Sequence, residues 1–142
     1  MKIIDRIDRV TAIAPKYRGE ILPAPISVKV ELTARCNYRC SFCARSQQLR
    51  EQGDIDRNLY ERLCYEMVEF GVEELGVFYL GESFMLPWLA DAIRIAKEAG
   101  FKYVFCTTNG SLCSEKKLYD VMAAGLDSLK FSYNYADAEQ ME

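Results

Sequence analysis

The sequence predicts an α/β fold built on a parallel sheet, and three observations lead to that prediction. Strand-like and helix-like segments alternate, with a β-loop-α unit repeated three times before a fourth strand. Consecutive strands are separated by enough residues for a helical crossover, which favours parallel pairing over hairpins. Polar or unusual residues follow every strand, as expected where the carboxyl ends of parallel strands meet at one rim.

Length and composition indicate an ordinary globular domain. The 142 residues suffice for one domain with a sizeable core. Hydrophobic residues make up 50%, charged residues 27% and the net charge is -3, so neither disorder nor a nucleic-acid-binding surface is favoured. No apolar run approaches the roughly 18 to 20 residues that cross a bilayer, and residues 1–10 lack a signal-peptide core. We therefore expect a cytoplasmic protein with no membrane or nucleic-acid partner.

Cysteine and histidine usage narrows the chemistry. In the cytoplasm, six cysteines indicate ligands or core residues more than disulfides. Histidine is absent, which removes the commonest general base and a common zinc ligand. Proton transfer would therefore need a carboxylate, lysine, tyrosine or thiol.

Residues 1–27 are predicted to form a short amphipathic helix and a lead-in loop. Isoleucine and valine recur at helical spacing over residues 1–10, and proline and glycine interrupt regular structure over residues 15–25. The first strand is expected at residues 26–32, where apolar and polar residues alternate. A cysteine-rich segment and a polar loop at residues 46–57 follow it.

Three helices and three further strands complete the pattern. The helices are predicted at residues 59–70, 87–99 and 115–124, and the strands at residues 75–80, 103–107 and 128–135. The helix start signals are Asp56 or Asn58 as a cap, Pro87 at the first position and Ser114 as a cap, and the stop signals are Gly71, Gly100 and Gly125. Residues 137–142 have the pattern of another helix start.

Three cysteines in the spacing C-x3-C-x2-C follow the first strand. They are Cys36, Cys40 and Cys43. Three thiolates on one loop can serve a single soft-metal centre and leave a fourth position open, which indicates an iron-sulfur cluster that binds a further ligand. Structural zinc is the alternative, but no second short-spaced pair supplies its fourth ligand. Cys64 and Cys106 are expected in the core, and Cys113 either packs or lies half exposed.

The cysteine loop and the strand ends together resemble the radical S-adenosylmethionine (radical SAM) superfamily. The aromatic Phe42 before the last cysteine belongs to the cluster motif of that family. The residues that resemble its later motifs are Gly81-Glu82, Thr107-Thr108-Asn109-Gly110 and Ser132. Ser83 and Leu80 stand where the family usually has a proline and a first glycine. The resemblance covers residues 28–134.

The resemblance implies a partial parallel (β/α) barrel, also called a partial TIM barrel, over residues 28–142 and truncated after about four strands. It implies a 4Fe-4S cluster on the three cysteines, with S-adenosylmethionine on the fourth iron. Reductive cleavage would give methionine and a 5′-deoxyadenosyl radical, which abstracts hydrogen from a substrate. Implied partners are a small-molecule or peptide substrate and an electron donor such as flavodoxin or ferredoxin.

The resemblance also implies roles for individual residues. The methionine ammonium would be bound by Gly81 and Glu82, and the methionine end by Thr108 and Asn109. The ribose hydroxyls would be bound by Ser132 and Asn134, and the adenine would lie near Phe42. The alternatives are that Ser132 and Asn134 merely solvate a strand end and that Glu82 is a surface carboxylate.

A lysine and four arginines are candidates for substrate contact. Lys130 shares its strand parity with Ser132 and Asn134, so it is a candidate catalytic residue, as a substrate contact or proton donor in the barrel lumen. Arg35, Arg39, Arg45 and Arg50 are candidates for binding an anionic substrate, with a solvated surface as the alternative.

A barrel that ends after four strands would expose the edge of its fourth strand. Three explanations remain open: a fragment of a larger enzyme, which we favour, a short protein completed by a partner or second copy, and an inactive cluster- or metal-binding module. Self-association through the strand-four edge is the expected symptom.

Residues 50–56 are similar to a loop in relatives that modify peptides or small metabolites.

Overall fold

Four parallel strands form one sheet in a computed structural model that describes residues 22–47 and 51–133. The strands are β1 (Ser27–Lys29), β2 (Glu74–Gly76), β3 (Tyr103–Thr108) and β4 (Ser128–Phe131), and they lie in the order β1-β2-β3-β4. Every neighbouring pair is parallel, with the helices α1 (Arg57–Glu69), α2 (Leu89–Ala99) and α3 (Glu115–Ala123) between them in sequence. The predicted parallel α/β fold is confirmed.

The helix start and stop signals act largely as predicted. The Asp56 side chain accepts a hydrogen bond from the Leu59 N–H at 2.9 Å, and Ser114 caps α3 in the same way. Gly100 ends α2 with a φ of 113°, a left-handed conformation that favours glycine. The start predicted for α2 at Pro87 is wrong by two residues. A 3-10 turn at Ser83–Met85 precedes the helix and delays its first turn to Leu89.

The two faces of the sheet differ. Along β3, Val104, Cys106 and Thr108 are buried beneath the helices, whereas the alternate residues are only half-buried. Residues that pair across parallel strands share a face, so one row on the uncovered side runs through Lys29, Gly76, Phe105 and Ser128. We call this side the open face. Cys64 and Cys106 both lie in the core, as predicted.

The first two strands are shorter than predicted because their carboxyl ends leave the sheet. The last hydrogen bonds between β1 and β2 and between β2 and β3 are donated by the N–H groups of Val30 and Val77. Beyond Val30, the chain pairs instead with the loop before α1, through an antiparallel bridge between Thr33 and Asp54. The loop predicted at residues 46–57 is therefore part of the support for the cysteine segment.

Several predictions fall on residues outside the described ranges. They are the helix at residues 1–10, Arg50, Asn134 and the helix start at residues 137–142. The fourth strand, predicted to run to residue 135, ends at Phe131, and Ser132 donates one further hydrogen bond to the Thr108 carbonyl, so this strand is also shorter than predicted. Within residues 22–47 and 51–133, no helix combines the length and the apolar character that a bilayer span needs.

Candidate functional site

A cavity of about 330 Å³ lies where the carboxyl ends of the strands face the cysteine loop. We call it the cleft. One wall consists of Cys36, Tyr38, Cys40, Phe42 and Cys43, and the other of Phe78, Tyr79, Leu80, Gly81, Glu82, Thr107, Thr108, Asn109 and Ser132. The cleft thus brings together the three cysteines and every predicted cofactor-binding residue except Asn134, which lies outside the described ranges.

Lys130 is not part of the cleft lining. It pairs in register with Thr107 and therefore lies on the open face, where its side chain is exposed. The open face would line the interior of a closed barrel, so the placement agrees with the parity argument. Its catalytic role stays a prediction.

The cysteine loop presents three half-buried thiols to the cleft. A turn closes the loop, in which the Cys43 N–H donates to the Cys40 carbonyl at 3.1 Å, and a 3-10 turn at Ala44–Gln47 follows. Across the described ranges, no group of histidine, cysteine or acidic side chains converges on a single ion position. Three thiolates on one loop are a donor set that suits a cubane cluster, which takes each thiolate on a different iron. The assignment of a cluster and not zinc to these cysteines stays a prediction.

Gly81 lies where no side chain fits. A Cβ atom at this position would lie 1.9 Å from the Thr33 carbonyl oxygen and 2.9 Å from that of Arg35. Both contacts are backbone atoms, which cannot rotate away as a side chain can. The next residue, Glu82, donates its N–H to the same Arg35 carbonyl at 2.8 Å. The base of the cysteine loop and the Gly81-Glu82 turn are therefore in direct backbone contact.

The carboxyl group of Glu82 joins its own segment to the end of β3 through three hydrogen bonds. Its Oε1 accepts from the Thr108 hydroxyl at 2.8 Å and from the Phe84 N–H at 3.0 Å, and its Oε2 accepts from the Asn109 N–H at 2.8 Å. Glu82 is only 2% exposed. The alternative of a surface carboxylate is therefore wrong.

A closed ring of hydrogen bonds links the cysteine loop to the segment after β3. The Asn109 amide nitrogen donates to Asn37 Oδ1 at 3.0 Å, the Asn37 amide nitrogen to the Ser111 hydroxyl at 2.8 Å, and that hydroxyl to Asn109 Oδ1 at 2.7 Å. The donors and acceptors form one consistent circuit, which fixes the orientation of both amides. The Asn109 amide nitrogen also lies 4.0 Å from the Cys36 sulfur.

An ion pair anchors the start of the cysteine loop. Arg35 donates from Nε and from a terminal guanidinium nitrogen to the two carboxylate oxygens of Asp54, at 2.9 and 2.7 Å. Burial raises the pKa of Asp54, but hydrogen bonds from Thr33 and Arg35 and the Arg35 charge outweigh it, so the pKa lies below its ordinary value. Arg35 is thus engaged within the protein.

The other candidate arginines are placed differently. The Nε of Arg45 donates to the Ala34 carbonyl at 3.3 Å, which also ties it to the cysteine loop. Arg39 is exposed, and Arg50 lies outside the described ranges. The structure therefore gives Arg35 and Arg45 a structural contact, and anion binding by any of the four stays a prediction.

The remaining cysteines are poor candidates for ligands. Burial, followed by the nearby Glu82 charge, raises the pKa of Cys106 to about 12. Burial likewise raises the pKa of Cys64 to about 11, and it also raises the pKa of the half-buried Cys113. A protonated thiol neither binds metal well nor attacks as a nucleophile.

Sequence reasoning missed Glu31, Asn37, Asp54 and Ser111 as parts of the site. Glu31 Oε1 accepts hydrogen bonds from the N–H groups of Leu80 and Gly81 at 3.0 and 3.2 Å. Two of them could have been recognised from the sequence. Glu31 lies two residues after Lys29, so it was expected on the same face of the strand, and Asn37 directly follows the predicted ligand Cys36. Asp54 and Ser111 gave no signal, since their partners are distant in sequence.

Comparison with known proteins gives a consistent family. The model of the radical SAM superfamily matches residues 30–140. The tungsten-containing aldehyde ferredoxin oxidoreductase cofactor-modifying protein of Pyrococcus furiosus is 31% identical over 114 residues, covering 78% of this chain and 31% of that protein. A GTP 3′,8-cyclase of Chlorobaculum tepidum is 30% identical, covering 80% and 34%. A PqqA peptide cyclase of Methylorubrum populi is 29% identical, covering 87% and 32%. The chain thus spans about a third of the length of these curated relatives.

Solved structures support the fold. BtrN in complex with AdoMet and 2-DOIA superimposes with a TM-score of 0.69 at 24% identity, over 80% of this chain and 47% of BtrN. An open conformation of BtrN gives a TM-score of 0.68 at 22% identity, over 86% of this chain and 55% of BtrN. This likeness supports the predicted partial parallel barrel.

Proposed function

This chain belongs to the radical SAM superfamily, and we propose that its cleft binds a 4Fe-4S cluster together with S-adenosylmethionine. Cys36, Cys40 and Cys43 would hold the cluster, and the strand-end wall would hold S-adenosylmethionine. When bound, the cluster would pass one electron from an external reductant to S-adenosylmethionine, whose sulfonium would split into methionine and a 5′-deoxyadenosyl radical that abstracts hydrogen from a substrate.

The observation that carries this proposal is the composition of the cleft. One cavity has three thiols on one wall and the Gly81-Glu82, Thr108-Asn109 and Ser132 groups on the other. These segments are far apart in sequence, and the parallel sheet brings them to one edge. A cluster with an open iron and a ligand with ammonium, carboxylate and hydroxyl groups match the two walls.

Glu82 is suited to receive the methionine ammonium. A carboxylate offers about four acceptor positions, and here Oε1 accepts two hydrogen bonds and Oε2 accepts one. A position on Oε2 thus remains for a further donor at the cleft. Thr108 and Asn109 hold the carboxylate in place, so they would act partly through Glu82.

The substrate is proposed to be a peptide or a small metabolite, and the reductant a protein such as flavodoxin or ferredoxin. The matched relatives include a peptide cyclase and a GTP cyclase, so both substrate classes occur among the proteins similar to this chain. We place the radical SAM core at residues 28–142 and the preceding segment outside it. A cytoplasmic location would keep an oxygen-sensitive cluster and its cysteine ligands in a reducing compartment.

Anaerobic reconstitution tests the proposed activity. Protein loaded with iron and sulfide and reduced with dithionite should convert S-adenosylmethionine to equal amounts of 5′-deoxyadenosine and methionine, measured by chromatography. Replacing Cys40 with alanine should abolish both products and the cluster absorbance. Cys113→Ser is the matched control and should retain both, because Cys113 lies outside the cleft lining and a serine hydroxyl can keep its weak contact with the Thr108 hydroxyl. A fully loaded protein that forms neither product would contradict the activity.

The second candidate function is a cluster- or metal-binding module that needs a partner or second copy to complete the barrel. It is consistent with the exposed side chains of Phe131, the last residue of β4, and of Tyr133 two residues beyond it, which are 53% and 70% exposed. Such an edge with aromatic side chains is a site for strand pairing. Sedimentation should show self-association that Phe131→Lys reduces. A monomer with protected β4 amides would contradict it.

A further inference from the structure

We propose that Glu31 is a positioning residue that holds the Leu80–Gly81 backbone in place beside the methionine end of the cleft. The proposal rests on the proposed function, because it concerns the wall that would bind S-adenosylmethionine. Glu31 itself is not among the cleft-lining residues. It acts through the backbone of the segment that it holds.

The hydrogen bonds of Glu31 replace those that the sheet no longer supplies. Strand β2 ends at Gly76, and Val77 donates the last ladder hydrogen bond to β3. The N–H groups of Leu80 and Gly81 then both turn to Glu31 Oε1, at 3.0 and 3.2 Å, in a partly buried setting. An oxygen that accepts two adjacent N–H groups fixes the direction of the peptide between them.

The same segment is fixed from its other side. Gly81 packs against the carbonyl groups of Thr33 and Arg35 so closely that even a methyl group would overlap them. Glu82 donates its N–H to the Arg35 carbonyl at 2.8 Å. All these contacts come from residues 31–35, which lead directly into Cys36.

Residues 31–35 therefore set the distance between the two walls of the cleft. The segment continues directly into Cys36, the first cysteine, and its residues contact the backbone of the Gly81-Glu82 turn. Loss of the Glu31 carboxylate would leave two N–H groups without their acceptor and free the turn on one side. The Glu82 carboxyl group would then lose its alignment with the bound ligand, whereas the cysteines would keep theirs.

Glu31→Ala and Glu31→Gln test this assignment in the full-length, cluster-loaded protein. We expect Glu31→Ala to weaken binding of S-adenosylmethionine by about tenfold, by analogy with the loss found when a partner that orients a metal ligand is removed, with iron content unchanged. Hydrogen-deuterium exchange at Leu80 and Gly81 should accelerate. Glu31→Gln should restore both values to within about threefold, because the glutamine oxygen can accept the same hydrogen bonds. Glu73→Ala, which removes an exposed carboxylate before β2, is the matched control.

Three results would overturn the proposal. They are normal ligand binding and exchange in Glu31→Ala, an equal defect in Glu31→Gln, and a loss of iron that parallels the loss of binding. If wild-type protein with a full cluster binds no S-adenosylmethionine, the proposed function fails instead. The exchange of Leu80 and Gly81 in the cluster-free protein then still decides whether Glu31 holds this segment.

Discussion

The two walls of the cleft are built differently. On the strand-end wall, Glu82 is almost fully buried and accepts three hydrogen bonds from segments after β2 and β3. The cysteine wall has half-buried thiols, and its aromatic side chains Tyr38 and Phe42 are 42% and 60% exposed. The strand-end wall also has an exposed aromatic residue, Tyr79, but it contains the buried carboxyl group of Glu82, and none of the five residues of the cysteine wall is buried to that degree.

This difference indicates how the site would work. Fixed polar groups bind a ligand without a reorganisation cost, which suits the recognition of S-adenosylmethionine. Metal binding to an open loop contributes its own free energy of ordering, so the cysteine wall needs less support from the protein. We therefore expect substitutions in the strand-end wall to change stability more than substitutions in the cysteine wall.

Gly81→Ala should have the largest effect. The new Cβ atom would lie 1.9 Å from the Thr33 carbonyl oxygen, so the backbone of one segment has to move. We expect a loss of more than about 4 kcal/mol in the free energy of unfolding, or no folded protein. Urea unfolding followed by circular dichroism measures this loss.

Gly53→Ala is the control for Gly81. A Cβ atom at Gly53 meets no atom within 4 Å. That variant should unfold within about 0.5 kcal/mol of the wild type. Equal stability of the Gly81 and Gly53 variants would show that the backbone of the strand-end wall can move at little cost. That result would contradict the proposal that this wall is the more rigid of the two.

Glu82→Gln should have the next largest effect. The glutamine oxygen can keep one set of hydrogen bonds, but its NH₂ group then faces an N–H donor in a buried site. We expect a loss of about 2 kcal/mol in the free energy of unfolding, measured by urea unfolding. Glu73→Ala removes an exposed carboxylate that pairs with Lys102 and should change stability by less than about 0.5 kcal/mol. Equal losses in the two variants would contradict the buried role of Glu82.

Asp54→Asn removes the ion pair at the base of the cysteine loop. The side chains of Arg35 and Asp54 are 37% and 31% exposed, so solvent screening limits the expected loss in the free energy of unfolding to about 0.5 kcal/mol at neutral pH. The pKa of Asp54 is lowered in the folded state, so its contribution is present above the unfolded pKa and disappears as pH falls through the folded one.

The pH dependence can be measured by urea unfolding of wild type and Asp54→Asn between about pH 7 and about pH 3. The stability difference should shrink towards the acid end. The comparison with the variant matters because the pKa of Asp127 is also lowered and adds its own acid loss to both proteins. A difference that grows on acidification would have the wrong sign for this ion pair.

Asn37→Ala should have the smallest effect on stability, below about 0.5 kcal/mol, because its hydrogen-bond partners lie near solvent. It should instead accelerate amide exchange over residues 36–43, since the ring to Asn109 and Ser111 is opened. Asn58→Ala, an exposed position in the first turn of α1, should leave this exchange unchanged. Unchanged exchange in Asn37→Ala would show that the ring does not hold the cysteine loop.

Much of the fold was predictable because its signals are local. Asp56, Ser114 and the glycines after the helices act through neighbours within four residues, and the apolar runs mark strands without knowledge of their partners. Strands β1 and β2 were predicted to be longer than they are, because the contacts that end them come from residues distant in the sequence. Glu31 and the Arg35 carbonyl bond the segment after β2, and no pattern within either strand encodes that pairing.

The candidate site divides in the same way. The three cysteines and the strand-end residues carry recognisable spacing, and the parallel sheet brings them to one edge. The ion pair of Arg35 with Asp54 was not predicted, because the two residues are 19 positions apart in the sequence. The burial of Glu82 likewise depends on Thr108 and Asn109, which only tertiary structure brings to it.

An electron paramagnetic resonance spectrum of the reduced, reconstituted protein, recorded before and after addition of S-adenosylmethionine, tests whether the two walls form one cofactor site. We expect about four irons per chain, as for a [4Fe–4S] cluster, and a spectrum that changes when S-adenosylmethionine binds the open iron. Cys113→Ser should behave in the same way. A fully loaded cluster whose spectrum is identical with and without S-adenosylmethionine would contradict the claim that the two walls of the cleft form one cofactor site.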